Sequence, residues 1–208
     1  MRIIPIRVSA AVLVAGVLLA TAACSGTGGG GSGGRVSVVA AFFPMAEVAR
    51  NVGGAHVDVQ TLTPPGVEPH DLELNTRQVQ EAHDADVLVY LSHGFQPAVS
   101  DLVSQVTGRT VDALAGLPVV GDDPHVWLDP VLLQRIVGKV QGALAQADPA
   151  HSSDYATNAR RYRAQLSALD RRFATGLANC DRNIMVTSHA AYLYLSSRYG
   201  LEQEAVTG

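Results

Sequence analysis

Histidines at the ends of predicted strands are the residues of this sequence best suited to chemistry. The chain has seven histidines. His70 follows the second predicted strand in TPPGVEPHDLEL, and His125 follows a short predicted strand in GDDPHVWLDP. His189 closes a later predicted strand in VTSHAAY. Ligands of open α/β sheets bind outside the carboxyl ends of the strands. Three neutral imidazoles that meet at such a place, across a cleft, could bind a divalent metal ion.

The other four histidines lie in sequences that favour ordinary roles. His56 follows two glycines in a turn, His83 lies on the polar face of a predicted helix, and His151 lies in the first turn of another. We interpret these three as structural or solvent-facing. His93, in LSHGFQP, also follows a predicted strand, so a place near the metal site remains open for it.

Strand and helix patterns alternate from residue 35 onward. Apolar runs typical of buried strands cover 36–42, 57–62, 86–91, a segment near Thr110, 117–120 and 183–188. Helix signals between them begin at Pro44, near Asn75, after Pro97, at Pro130 and at Ala190. This alternation predicts an α/β fold with a parallel sheet.

One predicted helix is much longer than the others. Apolar residues recur at helical spacing from Tyr155 to Leu177, which predicts a helix over 149–178 of about 45 Å. We interpret it as a connecting strut, and divide the chain into an α/β lobe at 35–147, a connecting helix at 148–179 and the start of a second lobe at 180–208. One strand and one helix cannot close a core, so we expect the chain to be a fragment.

The first 34 residues have the pattern of a secreted lipoprotein. Residues 8–23 are uncharged and follow two arginines, a run too short to span a membrane but typical of a signal peptide over 1–23. The following Cys24 resembles the lipidated first residue of a mature bacterial lipoprotein. Residues 25–34 are a flexible Gly/Ser linker. We expect lipid anchoring to the outer face of the cell membrane, with secretion and a free Cys24 thiol as the alternative.

Composition excludes several classes of protein. The hydrophobic content of 47% and the two cysteines exclude a disordered polymer and a disulfide scaffold. The formal net charge of -4 argues against a nucleic-acid partner. We expect a monomer. With Cys24 lipidated, Cys180 has no partner, and we interpret it as a small buried residue at the end of the long helix.

Three motifs occur in the order found in one known family. The motifs EPH at 68–70, DPHVWLDP at 123–130 and SHAAYLYLSSRYGL at 188–201 resemble those of the metal-binding lipoproteins of bacterial ABC importers. These are the zinc/manganese solute-binding proteins, often called cluster 9. The resemblance extends from residue 36 to residue 201. It implies two α/β lobes joined by one long rigid helix, with the second lobe largely missing from this chain and the metal held between the lobes.

The same resemblance implies a ligand set and a function. His70 and His125 would bind the metal from the first lobe and His189 from the second. The family's fourth ligand, an acidic residue late in the second lobe, has no counterpart before residue 208. The protein would capture Zn²⁺ and deliver it to an ABC permease in the same membrane, without catalysis. Asp129 and Glu68 are our candidates to orient a ligand histidine.

Three alternatives remain open. Three imidazoles favour Zn²⁺ over Mn²⁺, which prefers oxygen ligands, and manganese importers of this family resemble a pattern with a carboxylate where this chain has His189. A zinc hydrolase could use a three-histidine site with Glu68 or Asp71 as base, although the sequence lacks H-E-x-x-H, G-x-S-x-G and phosphate-loop motifs. A surface adhesin that also binds metal is the third alternative.

Overall fold

A computed structural model describes residues 34–207 of the chain. The predicted signal peptide, Cys24 and nearly all of the Gly/Ser linker lie outside the described residues. Within them the fold is α/β, with one four-stranded and one two-stranded parallel sheet. No helix between residues 34 and 207 combines the length and hydropathy needed to cross a bilayer.

The first sheet has the strand order β2-β1-β3-β4. Its strands are β1 (Val36–Ala40), β2 (Val57–Thr61), β3 (Val87–Tyr90) and β4 (Arg109–Asp112). The helices that follow them are α1 (Phe43–Gly53), α2 (Thr76–Asp84), α3 (Pro97–Leu102) and α4 (Pro130–Ala147). In this order β2 lies on one side of β1 and β3 lies on the other, so the direction in which strands are added to the sheet reverses after β2. This reversal leaves a crevice at the carboxyl edge of the sheet, where ligands of such folds bind.

Burial on both faces explains why the central strands form. In β1, Val38, Val39 and Ala40 are buried, and all of Val87–Val89 in β3 is buried, as is typical of parallel strands covered by helices. The edge strands β2 and β4 include exposed residues. The apolar runs therefore predicted these strands, with bounds that differ by one or two residues.

The long helix is confirmed apart from its first turn. After a 3-10 turn at Pro149–His151, α5 (Ser152–Leu177) runs for 26 residues, about 39 Å. It packs against α1 and α4, and buries Tyr155, Ala159 and Leu166. The Tyr155 hydroxyl donates to Asp148 Oδ2 at 2.7 Å, which fastens α5 to the end of α4.

The chain beyond α5 forms a second, smaller sheet. The strands β5 (Ile184–His189) and β6 (Glu202–Thr207) are parallel neighbours, joined by α6 (Leu193–Tyr199). The sequence did not predict β6, because its residues are polar and mostly exposed. The prediction that Cys180 is buried is wrong, since this residue is exposed.

The strand predicted at 117–120 is also wrong. This segment is irregular and joins no sheet. The Val120 N–H donates to the Tyr194 hydroxyl at 2.9 Å rather than to a neighbouring strand. The prediction that His125 follows a strand directly therefore needs correction: it lies at the end of a long loop after β4.

Just before β4 begins, the backbone at Gly108 passes close to the backbone of Ala85 and Asp86. The Arg109 N–H donates to the Asp86 carbonyl at 2.8 Å. A Cβ on residue 108 would meet the carbonyl oxygen of Ala85 and would lie 2.5 Å from that of Asp86. Only glycine fits there without moving the backbone.

We expect Gly108→Ala to lower the free energy of unfolding by about 1–3 kcal/mol, because the added methyl group would clash with the carbonyl oxygens of Ala85 and Asp86. Gly142→Ala is the matched control. It lies within α4, where an added Cβ meets nothing within 4 Å, so we expect about 0.5–1 kcal/mol of stabilisation. Urea denaturation measures both. A Gly108→Ala protein as stable as the unsubstituted one would contradict this packing.

Candidate metal centre

Two loops and one strand end bring His70, His125 and His189 together. His70 lies in a 3-10 turn (Pro69–Asp71) in the loop between β2 and α2. His125 immediately precedes a 3-10 turn (Val126–Leu128) between β4 and α4, and His189 is the last residue of β5. One ligand nitrogen of each lies within 4.8 Å of the other two. We call these three residues the histidine cluster.

The spacing within the cluster fits one small ion. The Nε2 atoms of His70 and His125 are 3.3 Å apart. Two nitrogens bound to the same tetrahedral zinc, each at about 2.0–2.1 Å, would be separated by about 3.4 Å. The rings of His125 and His189 have their centroids 5.6 Å apart. The arrangement therefore needs only small side-chain adjustments to surround a single ion.

Buried contacts hold the loop that carries His70. The side-chain amide of Gln96 is buried and donates to the Pro69 carbonyl at 3.0 Å and to Thr63 Oγ1 at 2.9 Å. The ring of Phe95 packs edge-on against the His70 imidazole, with centroids 4.6 Å apart. The backbone of this loop and the ring of His70 are thus both positioned by residues that follow β3.

Aromatic packing positions His125 as well. Its ring lies 5.0 Å from the Trp127 ring, which in turn packs against Phe95 and Phe42. Phe42 follows β1 and is buried. The aromatic contacts continue from the sheet edge to the histidine cluster, in agreement with the expectation that Trp127 anchors the DPHVWLDP loop.

Asp123 orients His125. Its Oδ1 accepts the backbone N–H of His125 at 2.9 Å and lies 2.7 Å from His125 Nδ1. A carboxylate at Nδ1 keeps that nitrogen protonated, so that the lone pair of Nε2 faces the cluster. This role of Asp123 was not predicted, although an aspartate side chain commonly accepts from the backbone N–H two residues further on.

Asp129 and Glu68, the two residues expected to orient a ligand histidine, do not contact the histidine cluster through hydrogen bonds. Asp129 accepts from the N–H groups of Val131 and Leu132 as the cap of α4, and pairs with Arg198 Nε at 2.6 Å. Glu68 is exposed. Within the described part of the chain, neither carboxylate hydrogen-bonds to the histidine cluster. The strong cap signal of Asp-Pro at 129–130 explains the placement of Asp129.

The environment of His125 keeps it neutral. Burial lowers the pKa of His125, and the neighbouring His70 and His189 lower it further, while the contact with Asp123 acts in the opposite direction. Burial has the largest effect, so the net result is a pKa below the usual histidine value. The neutral imidazole is the form that binds a metal ion.

Contacts from α6 hold the loop of His125, and a contact from β6 holds the backbone of His189. The Tyr194 hydroxyl donates to the Asp123 carbonyl at 2.7 Å and accepts the Val120 N–H at 2.9 Å. Beside His189, the side-chain amide of Gln203 donates to the His189 carbonyl at 3.0 Å. A cleft of about 630 Å³ lies between α6 and the 120–125 loop, and His125 lines it. His125 is the only residue of the histidine cluster among the residues that line this cleft.

The remaining histidines lie outside the cluster. His93 is exposed, has a positive φ of 58° and contacts Ser92 Oγ through Nδ1 at 2.8 Å. His56 and His151 stack with centroids 3.9 Å apart, and His83 contacts Asp84. The structural and solvent-facing interpretation of the last three agrees with these contacts.

Comparisons with known proteins agree on one family. The family model ZnuA, described as zinc-uptake complex component A, periplasmic, matches residues 38–208. The high-affinity zinc uptake system protein ZnuA of Bacillus subtilis is 30% identical over 94% of this chain and 70% of that protein. The zinc-binding protein AdcA of Streptococcus pyogenes is 30% identical over 84% of this chain. The chain spans only 40% of the length of that streptococcal relative.

The same relationship holds among solved structures. The Zn(II)-bound ZnuA-like domain of Streptococcus pneumoniae AdcA superposes with a TM-score of 0.78 at 32% sequence identity. The match covers 84% of this chain and 68% of that chain.

We expect the pKa of His125, measured from imidazole NMR shifts in metal-free protein, to lie below the ordinary histidine value of about 6.5. Asp123→Asn should lower it further, because the substitution removes the carboxylate that raises it. Asp122→Asn, at the exposed neighbouring position, is the control and should leave it unchanged. A value at or above that of a free histidine would contradict the buried placement of the ring.

Proposed function

The chain belongs to the ZnuA family of zinc-uptake components, and from this membership we propose that it binds Zn²⁺ as cargo through His70, His125 and His189. The observation that carries the proposal is the histidine cluster, in which nitrogens from three separate elements lie within 4.8 Å of one another. Such a grouping satisfies the ligand preference of zinc.

The chemistry of the cluster favours zinc over manganese. Imidazole nitrogen suits Zn²⁺, whereas Mn²⁺ prefers oxygen ligands and has the lowest affinity of the divalent series for such sites. The 3.3 Å separation between the nitrogens of His70 and His125 matches a tetrahedral ion. A water molecule or a carboxylate reaching the cluster through the neighbouring cleft would supply the fourth position.

Capture and release would involve the contacts around α6. The ion links the two loops of the first sheet to β5, and α6 is already fastened to the loop of His125 through Tyr194. The ion pair between Arg198 and Asp129 adds a second connection. Opening the site therefore requires these contacts to separate, while α5 limits how far the two sides move apart.

Delivery to an ABC permease in the same membrane completes the proposed role. The lipoprotein pattern at Cys24 would keep the protein on the outer face of the membrane, and the Gly/Ser linker would let the folded part reach its partner. The family's description as a zinc-uptake component supports this role. We propose a binding protein that acts without turnover and as a monomer.

The geometry gives less support to a hydrolase. A catalytic zinc site needs a base beside the metal-bound water. Asp123 already accepts from two N–H groups of His125, and Glu68 and Asp71 are exposed at the surface. Within residues 34–207, no other carboxylate hydrogen-bonds to a histidine of the cluster.

Substitution of a cluster histidine tests the proposal. We expect His125→Ala in the full chain to weaken zinc binding more than about 100-fold, because changing a residue that merely orients a ligand already costs 10–100-fold. The measurement is a zinc titration against a competing chelator. His93→Ala is the matched control, because His93 also follows a strand but is exposed and lies outside the cluster. The zinc affinity of this variant should equal that of the unsubstituted protein.

Two outcomes of the same titration would contradict the proposal. One is zinc binding by His125→Ala as tight as that of the unsubstituted protein. The other is displacement of zinc by an equal concentration of manganese. Zinc affinity should also fall as the solution is made acidic, because protons compete with the ion for the imidazole nitrogens. An affinity that stays flat from weakly acidic to neutral pH would argue against histidine ligands.

A further inference from the structure

The solvent-facing side of α5 carries four arginines that have no acidic partner. Arg160, Arg161, Arg171 and Arg172 are all exposed, and none of them pairs with a carboxylate within residues 34–207. They lie opposite the residues that α5 buries, such as Tyr155 and Leu166. We call these four residues the arginine face.

Helical geometry places the four charges in two pairs on the solvent-facing side of α5, about 100° apart around the axis. Arg160 and Arg171 are eleven residues apart, as are Arg161 and Arg172, so each pair is separated by about 16 Å along the axis and by about 20° around it. The residues between the pairs on this side are small. A shallow depression of about 570 Å³ lies there, lined by Arg171 and Arg172 together with Ala168, Thr175 and Gly176.

Nearby charges do not neutralise the arginine face. Asp170 is the only acidic residue between 155 and 177, and it accepts the Tyr199 hydroxyl at 3.0 Å. Asp154, at the start of α5, contacts His56 at 3.0 Å. Arg163 is turned toward α4, where its Nε donates to the Gln134 carbonyl at 3.3 Å. The basic side chains of α5 thus divide into one that packs and four that project into solvent.

We propose that the arginine face binds the anionic phospholipid surface of the membrane that carries the protein. Guanidinium groups bind phosphate through two parallel hydrogen bonds, so phosphate headgroups complement the arginine face. Only ten residues separate Cys24 from the folded part, so the predicted lipid anchor would hold the folded part near the lipid headgroups. This inference rests on the predicted anchor and on the arginine face, and it is independent of zinc binding.

Screening sets how the contact must be made. Charges in solution at physiological salt are screened beyond about 8 Å, so the arginines have to lie against the headgroups rather than above them. Two pairs of long side chains on one side of a rigid helix can lie against the headgroups together. The membrane would then hold α5 parallel to its surface, which fixes one orientation of the tethered protein beside its permease.

Cys180 provides a native reporter of this contact. It is exposed, and its Sγ lies 4.0 Å from the carbonyl oxygen of Gly176, a residue that lines the same depression as Arg171 and Arg172. The full lipidated chain, labelled with a fluorophore on Cys180, is reconstituted in vesicles that contain nitroxide-labelled headgroups. We expect strong quenching in phosphatidylglycerol vesicles, and its loss in high salt and in vesicles of phosphatidylcholine alone.

Paired variants separate the arginine face from overall charge. One basic residue near an anionic surface contributes about fivefold to binding, so Arg160→Gln with Arg171→Gln should lower the ratio of surface-bound to free protein about 25-fold. The control, Arg50→Gln with Arg77→Gln, removes the same charge from exposed helical positions whose arginines pair with Glu47 and Glu81. The fluorophore on this control should be quenched as strongly as that on the unsubstituted protein.

Three results would overturn the proposal. They are equal quenching in anionic and neutral vesicles, equal losses in both double variants, and contact that requires the purified permease rather than anionic lipid. Zinc affinity is measured on the same samples. It should be unchanged in both double variants, so failure of membrane contact is distinguishable from failure of the zinc-binding proposal.

Discussion

The meeting of imidazoles from three separate parts of the chain within one small volume is the interaction on which the site depends. His70 and His125 have their Nε2 atoms 3.3 Å apart, and a nitrogen of His189 completes the group within 4.8 Å. Each ring is brought there by a different element. The arrangement requires the sheet edge, the DPHVWLDP loop and β5 to keep fixed positions, because a shift of any one would open the cluster.

The packing around the cluster orients its rings without an ion, as the proposed zinc binding would require. Gln96 holds the His70 loop, Asp123 fixes the ring of His125, and Tyr194 connects that loop with α6. A site whose ligands are already oriented loses less conformational entropy on binding, so more of the interaction energy is retained as affinity. Burial adds to this effect because it keeps His125 in the neutral form that a metal ion requires.

The sequence predicted the parts of the fold that rest on local patterns. Buried apolar runs identified β1 and β3, and helical periodicity identified α5. The rule that ligands collect at carboxyl ends of strands pointed to His70, His125 and His189 and left His93 open, although His125 follows a long loop rather than a strand. The family resemblance selected the same three residues, and the structure brings them together.

The features that were missed depend on tertiary contacts. The strand β6 has no apolar pattern because most of its residues are exposed. Residues 117–120 join no sheet, and the Val120 N–H donates to the Tyr194 hydroxyl instead of to a strand. The choice between Asp123 and Asp129 also follows from packing. Both lie near His125 in sequence, but Asp129 is held by the start of α4 and by Arg198.

X-ray absorption at the zinc edge of the loaded protein tests the central claim most directly, because it reports the atoms around the ion. The account predicts a nearest-neighbour shell of nitrogen or oxygen at about 2.0–2.1 Å, with outer scattering from three imidazole rings and no sulfur. Sulfur at about 2.3 Å, or a shell without imidazole scattering, would contradict it.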